Sequence, residues 1–324
     1  MTGGTGFIGA HVVRALLARG TTVRCLVRPS SRLDNLRDLD VELVAGDLLD
    51  PASLARAARG CESVFHCAAD YRLWARDPEA IHRSNVVGTR NVLAAAAEAG
   101  VTRVVYTSSV SALGLVAGEG AADEDTPVRE EHLVGPYKRS KFLAQREAEE
   151  AARGGLHVVI VNPSTPVGEG DVKPTPTGRV IVDFLRGRMP AYVDSGLNLI
   201  DVRDVAEGHV LAAERGRSGE RYILGNRNVS LRQLLDMLAL IAGRPAPRVR
   251  LPHWIPLLAA HASEAWSRVV GGEPRVGVDA VRMSRQRMFF DASKAVRELG
   301  LPQSPVEGAL ARAVEWFRVH GYAP

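Results

Sequence analysis

The chain opens Met1-Thr2-Gly3-Gly4-Thr5-Gly6-Phe7-Ile8-Gly9 and passes at once into an apolar-periodic run that closes at Arg19-Gly20. Few openings narrow the choice of fold as much. Glycines three residues apart supply a tight bend, a backbone without Cβ beside a ligand, and close packing of a helix on its neighbours. The first helical N–H groups, those of Phe7 and Ile8, then face outward with the positive end of the helix dipole, an arrangement suited to a pyrophosphate. An ordinary glycine-rich turn shares the pattern, so residues elsewhere must decide between the two. A dinucleotide turn also follows a central strand of about five apolar residues, yet only Met1 precedes Thr2. The expectation is a first strand cut short, with the natural start upstream of Met1.

With 324 residues, 46% of them apolar, the chain can bury a large core, as one domain or a domain with a lobe. The net charge of +4 comes from 41 basic and 37 acidic residues that are interspersed, so no basic tail or stripe points to nucleic acid. Three cysteines, Cys25, Cys61 and Cys67, lack metal-ligand or CxxC spacing and read as reduced core residues of a cytoplasmic protein, with no metal site. No apolar run is long enough to span a bilayer. The nearest, His253 to Val270, is broken by Pro256, Glu264 and Arg268 and reads as a buried lobe helix, with a membrane-surface helix as the alternative.

Along the chain, strand-type runs at 22–27, 41–45, 63–67, 103–107 and 157–161 alternate with helical segments at 51–58, 78–99 and 135–153. Asp50 stands as N-cap of the first of these helices, and Gly100 and Gly154-Gly155 close the other two. This alternation predicts an α/β fold, a doubly wound, mostly parallel Rossmann sheet covered on both faces. Beyond Asn162-Pro163 prolines and glycines break the pattern. It returns at 197–200 and 221–224, and helices dominate from Ser230 onward. The predicted layout is a dinucleotide-binding domain over residues 1–165 and a smaller, mainly helical substrate lobe over 166–324.

Tyr137 and Lys141 stand four apart on a predicted helix, so both project from one face. A phenol titrates near ~10, too high for a base at neutral pH. An ammonium beside it favours the phenolate and also reaches ribose hydroxyls. Thr107-Ser108-Ser109 ends a strand at the sheet edge where ligands sit in open α/β folds. A hydroxyl there orients the oxygen of an alcohol or ketone as hydride moves.

Thr2 to Gly9, Ser109 and Tyr137-x-x-x-Lys141 together resemble the extended short-chain dehydrogenase/reductases of the NAD-dependent epimerase/dehydratase family. Ala68-Ala69-Asp70-Tyr71-Arg72-Leu73-Trp74, Tyr137-Lys138-Arg139-Ser140-Lys141, Asn162-Pro163-Ser164-Thr165-Pro166 and Lys173-Pro174-Thr175-Pro176-Thr177-Gly178 are similar to the hopanoid-associated sugar epimerase group, itself similar to dihydroflavonol 4-reductases. The resemblance implies Ser109, Tyr137 and Lys141 as the catalytic set. It also implies Gly3, Thr5, Gly6, Phe7 and Ile8 at the pyrophosphate, Asp47 and Leu48 at the adenine, and Ala68 and Ala69 beneath the cofactor. Asn162 and Pro163 would stand at the nicotinamide, with Asn85 in support.

Cofactor choice turns on the end of the second strand, where an acidic residue accepts from the ribose of NAD. Arg28 stands there, in Arg28-Pro29-Ser30-Ser31-Arg32, and suits a 2′-phosphate. NADP(H) is favoured, with NAD(H) open. The expected chemistry is hydride transfer at a secondary alcohol or ketone carbon of a small molecule, with release of cofactor as a reductase or retention of it as an epimerase. A non-catalytic dinucleotide sensor is the alternative from another class, and a homodimer is left open.

Overall fold

The computed structural model describes the chain except Glu119, Glu273, Arg275 and Val276, and the side chains of Arg268 and Val269 also lie outside the described residues. The strands are β1 (Arg24–Val27), β2 (Glu42–Ala45), β3 (Ser63–His66), β4 (Arg103–Thr107), β5 (Val158–Pro163), β6 (Thr165–Val167), β7 (Ala191–Val193), β8 (Gly196–Asp201), β9 (Arg221–Leu224), β10 (Arg227–Ser230), β11 (Val249–Leu251) and β12 (Arg287–Met288). The helices are α1 (Phe7–Leu17), α2 (Pro51–Ala58), α3 (Pro78–His82), α4 (Gly88–Glu98), α5 (Gly135–Arg153), α6 (Pro176–Leu185), α7 (Val202–Arg215), α8 (Leu231–Ala242), α9 (Trp254–Val270), α10 (Val278–Met283), α11 (Ser293–Leu299) and α12 (Val306–Val319).

β2 pairs with β1, and β3, β4, β5 and β9 pair in that order, all parallel. Thr2 joins the two groups through parallel bridges to Leu26 and His66. Its N–H donates to Phe65 O at 2.9 Å, and its carbonyl accepts from Cys67 at 3.1 Å. The strand order therefore reverses direction at Thr2, directly beneath the glycine turn, and such a reversal opens the ligand crevice of a doubly wound sheet. Met1 and Thr2 take the carboxyl end of the central position, where the sequence predicts the last residues of a first strand.

Alternation along β4 and β5 explains why they read as unbroken apolar runs. Val104, Tyr106, Val158 and Ile160 pack with α2, α4 and α5, while Val105, Val159 and Val161 pack with α1, α7 and α11 on the other face. A fully buried Val or Ile contributes roughly 2 kcal/mol, whereas an exposed ion pair contributes about 1 kcal/mol at most. This two-faced core, more than the many surface Arg–carboxylate pairs, holds the sheet.

Three expectations are revised. The helix foreseen over 78–99 is α3, a π-helical turn over Arg83–Val87, and α4. The run at 197–200, now β8, does not rejoin the main sheet. It pairs with β10 antiparallel and with β6 and β12 in parallel, so the later part of the chain carries a small sheet of its own among its helices. That second layer encloses a separate apolar cluster of α6, α8, α12 and β8 around Leu185, Leu199, Leu234 and Phe317. The third revision concerns α9, which is not a buried helix: among its described residues Ala260 and Ser267 are buried, and Trp254, Leu258 and Trp266 face outward. Cys25 is a core residue as expected, while Cys61 and Cys67 are half-buried.

Candidate active site

The glycine turn is built on close backbone approach. Gly3 takes φ +72°, and a Cβ there would lie 2.5 Å from the Ala68 nitrogen. Gly6 N–H donates to Gly3 O at 2.9 Å, and a Cβ on Gly9 would fall 2.1 Å from that same carbonyl. Gly6 is the N-cap of α1 in extended conformation and offers no side-chain cap. The leading N–H groups of α1 are thus left for an anion. Thr5 O accepts from Asn35 Nδ2 at 3.3 Å, which ties the turn to the segment after β1. Thr2 Oγ1 lies 2.7 Å from His66 Nδ1, and His66 Nε2 lies 2.9 Å from Thr89 Oγ1. Burial pushes the His66 pKa down to about 3, so this strut is neutral.

Ser109, Tyr137 and Lys141 converge at the carboxyl end of β4. Ser109 Oγ accepts from Ser111 N–H at 3.1 Å. Lys141 is 3% exposed; its ammonium donates to Thr107 O at 2.7 Å and Tyr106 Oη at 3.4 Å, and lies 5.0 Å from the Tyr106 ring centre. Burial draws the Lys141 pKa down to about 7. The Tyr137 pKa is raised, because desolvation outweighs the opposing influence of Ser109. Lys141 is not among the causes of that shift; two of its three ammonium protons go to Thr107 and Tyr106.

One helical turn beyond Lys141, Gln145 Oε1 accepts from Ser108 Oγ at 2.7 Å and from Asn162 Nδ2 at 2.8 Å. Asn162 Nδ2 also donates to Ser109 O at 2.9 Å, while its Oδ1 is buried with no partner among the described residues. A buried acceptor without a donor is costly unless a ligand supplies one. Sequence reading missed Gln145, although its spacing after Tyr137 and Lys141 puts it on the same face of α5. It also missed Ser140, whose Oγ accepts from Asn85 Nδ2 at 2.9 Å. Asn85, in the π-helical turn, further exchanges bonds with the Asp70 backbone at 2.7 and 2.9 Å.

The remaining expected residues line the same sheet edge. Arg28 follows β1 and is exposed; its N–H donates to Ser31 Oγ at 3.0 Å and its guanidinium has no carboxylate partner among the described residues. Arg32, by contrast, is paired with Asp34 at 2.8 Å. Asp47, after β2, accepts from Leu49 N–H at 2.9 Å, and Leu48 packs its Cβ against Gly88. Ala68 and Ala69 follow β3, with Ala68 N–H donating to Thr2 Oγ1 at 3.3 Å. Asn162 and Pro163 end β5 and are fully buried. Tyr71 Oη donates to Lys173 O at 3.0 Å, which joins two of the distinctive sequence strings across the cleft. No group of residues suited to a metal ion occurs among the described residues.

The model of the NAD dependent epimerase/dehydratase family matches residues 1–225. The chain belongs to that family. A Synechocystis sp. protein named dihydroflavonol 4-reductase is 54% identical over 326 residues, covering 99% of this chain and 95% of that one. Sterol demethylase protein B of Methylococcus capsulatus is 37% identical over 323 residues, covering 99% and 98%. The solved structure of gox2253 superposes with a TM-score of 0.89 at 49% identity, covering 100% of this chain and 98% of that one. Family membership makes the chain an enzyme of the nicotinamide-dependent reductase, epimerase and dehydratase class. The unsatisfied start of α1, the close approach of Gly3 to Ala68 and the unpartnered Asn162 Oδ1 all fit a dinucleotide laid along this edge.

Proposed function

We propose that the protein is an NADP(H)-dependent ketone reductase, with a cofactor domain of residues 1–165 that α7, β9 and α11 complete, and a substrate lobe formed by the rest of residues 166–324. What carries this reading is the placement of Tyr137 one helical turn before a buried Lys141, with burial pushing the phenol pKa up. A phenol held neutral in a partly dry site is equipped to donate a proton to a carbonyl oxygen that gains negative charge. Ser109 would orient that oxygen, and Lys141 would hold ribose hydroxyls. When bound, the nicotinamide supplies or accepts the hydride. The α1 start from Gly3 to Ile8 would hold the pyrophosphate, Asp47 and Leu48 the adenine, and Asn162 Oδ1 would take an amide proton that nothing in the chain provides.

Arg28 supports NADP(H): an unpaired guanidinium stands where an acidic residue would select NAD. The free thiols at Cys25, Cys61 and Cys67 suit a reducing compartment, which supports the cytoplasm. The reading is tested by mixing purified protein with NADPH or NADH and a panel of secondary ketones. Oxidation of NADPH matched mole for mole by alcohol is the expected result. Protein that retains NAD(H) through purification and interconverts epimers with no net cofactor turnover would overturn it in favour of an epimerase.

A further inference from the structure

The outer face of α9 is apolar along its whole length. Trp254, Leu258, Ala262, Trp266 and Val270 recur every four residues and are all exposed, at 58% for Trp254, 62% for Leu258, 69% for Trp266 and 61% for Val270. The opposite face is the packed one, where Leu257 and Ala260 meet Val278 and Val281 of α10. Two tryptophans this exposed on one helix are unusual for a surface that meets only water. At 1.5 Å per residue α9 is about 25 Å long, yet no described helix is long and apolar enough to cross a membrane.

The surroundings of α9 are basic. From Arg244 to Phe290 eight arginines stand against three acidic residues, so this one segment carries an excess greater than the net charge of +4 of the entire chain. Arg248, five residues before His253, and Arg285 are exposed without a carboxylate partner among the described residues. Arg285 stands at the helix start, because His253 Nε2 lies 3.3 Å from Ser284 O. An apolar helical face with tryptophans and flanking arginines matches the requirements of a bilayer interface with anionic headgroups. A second copy of the chain fits less well, since a two-fold contact through this face would oppose the same arginines.

We infer that the Trp254–Leu258–Trp266–Val270 face of α9 docks the protein on an anionic lipid surface. The packed side of α9 leads to the cleft through α10: a Cβ on Gly135, two residues before Tyr137, would lie 2.7 Å from Asp279 Oδ2 of α10, and one on Gly277 would lie 3.9 Å from Trp74 Cβ. The inference does not depend on the reductase reading.

The test is co-sedimentation of the full chain with vesicles of phosphatidylglycerol and phosphatidylcholine in about equal parts, against phosphatidylcholine alone. Tryptophan emission is recorded in the same samples, and light scattering gives the mass without lipid. Anionic vesicles should bind the protein and shift the emission to the blue, with weak binding to neutral ones. The exposed substitutions Trp254→Ser with Trp266→Ser, and separately Leu258→Glu, should weaken partitioning by about tenfold or more. Arg248→Gln with Arg285→Gln should erase the preference for anionic lipid. The melting temperature and far-ultraviolet circular dichroism without lipid should stay unchanged in all three variants, which reports that they fold. Protein that stays in the supernatant, or α9 variants that bind as well as wild type, would overturn the inference. A dimer in solution that the α9 variants dissociate would overturn it too and assign the face to a second copy.

Discussion

Replacing Lys141 with Met keeps the volume of the stem and removes an ammonium that is 3% exposed. In the wild type the Lys141 pKa falls from 10.5 to about 7 through burial, with Cys67 opposing. Between those values the unfolded chain binds more protons at this position than the folded one, so stability rises with pH across that window. At low pH both states are protonated and the penalty is at full size; above the unfolded value it has gone. From about pH 7 to about pH 9 the relation gives a gain of about 2 kcal/mol from this group alone. Lys138, drawn to about 8 by burial, titrates in the same range. Its contribution cancels in the difference between wild type and Lys141→Met. Urea unfolding of nucleotide-free protein, followed by tryptophan emission at several pH values, should show the wild type gaining about 2 kcal/mol on the variant over that interval. A difference that stays flat with pH would refute the claim that a desolvated Lys141 ammonium sits beneath the site.

Tyr137→Phe should lower kcat by about a thousandfold while leaving nucleotide affinity within about twofold, as read by steady-state kinetics and fluorescence titration. Retention of biological activity in that variant would favour a sensor. Arg28→Gln should raise the KM for NADPH by roughly tenfold to a hundredfold, the worth of a lost charge-assisted hydrogen bond, and leave the KM for NADH unchanged. Gly9→Ala forces a Cβ onto the Gly3 carbonyl. The expected cost is about 2 kcal/mol of stability in a thermal melt, together with loss of nucleotide binding. Normal binding by that variant would show that the turn is looser than described.

Much of the site was legible because its signals are local. The helical period alone places Tyr137 and Lys141 on one face of α5, and the same period would have added Gln145. The N-cap at Asp50 accepts from Ala52 N–H at 3.1 Å and was readable as short-range chemistry. The roles of Asn85 and Ser140 were harder to see, since they depend on a π-helical turn meeting α5 across 55 residues. No local pattern encodes that encounter. For β8, an apolar run shows that a strand is buried but not which sheet buries it, and the pairing with β6 and β12 comes from contacts distant in the chain.

By itself the sequence determined the kind of fold, the phosphate-type turn from Gly3 to Gly9, the position of Ser109 at a strand end, and the one-face pairing of Tyr137 with Lys141. These follow from periodicity, turn stereochemistry and capping, which act over a few residues. Tertiary structure alone decided three further matters. Lys141 gives two of its three proton donors to Thr107 and Tyr106, and burial pushes the Tyr137 pKa up. Met1 and Thr2 stitch the two halves of the sheet at its point of reversal. The third is the outward-facing apolar stripe of α9. Each depends on what a surface packs against and how far water is excluded from it, and those are properties of the assembled layers that no single stretch of chain contains.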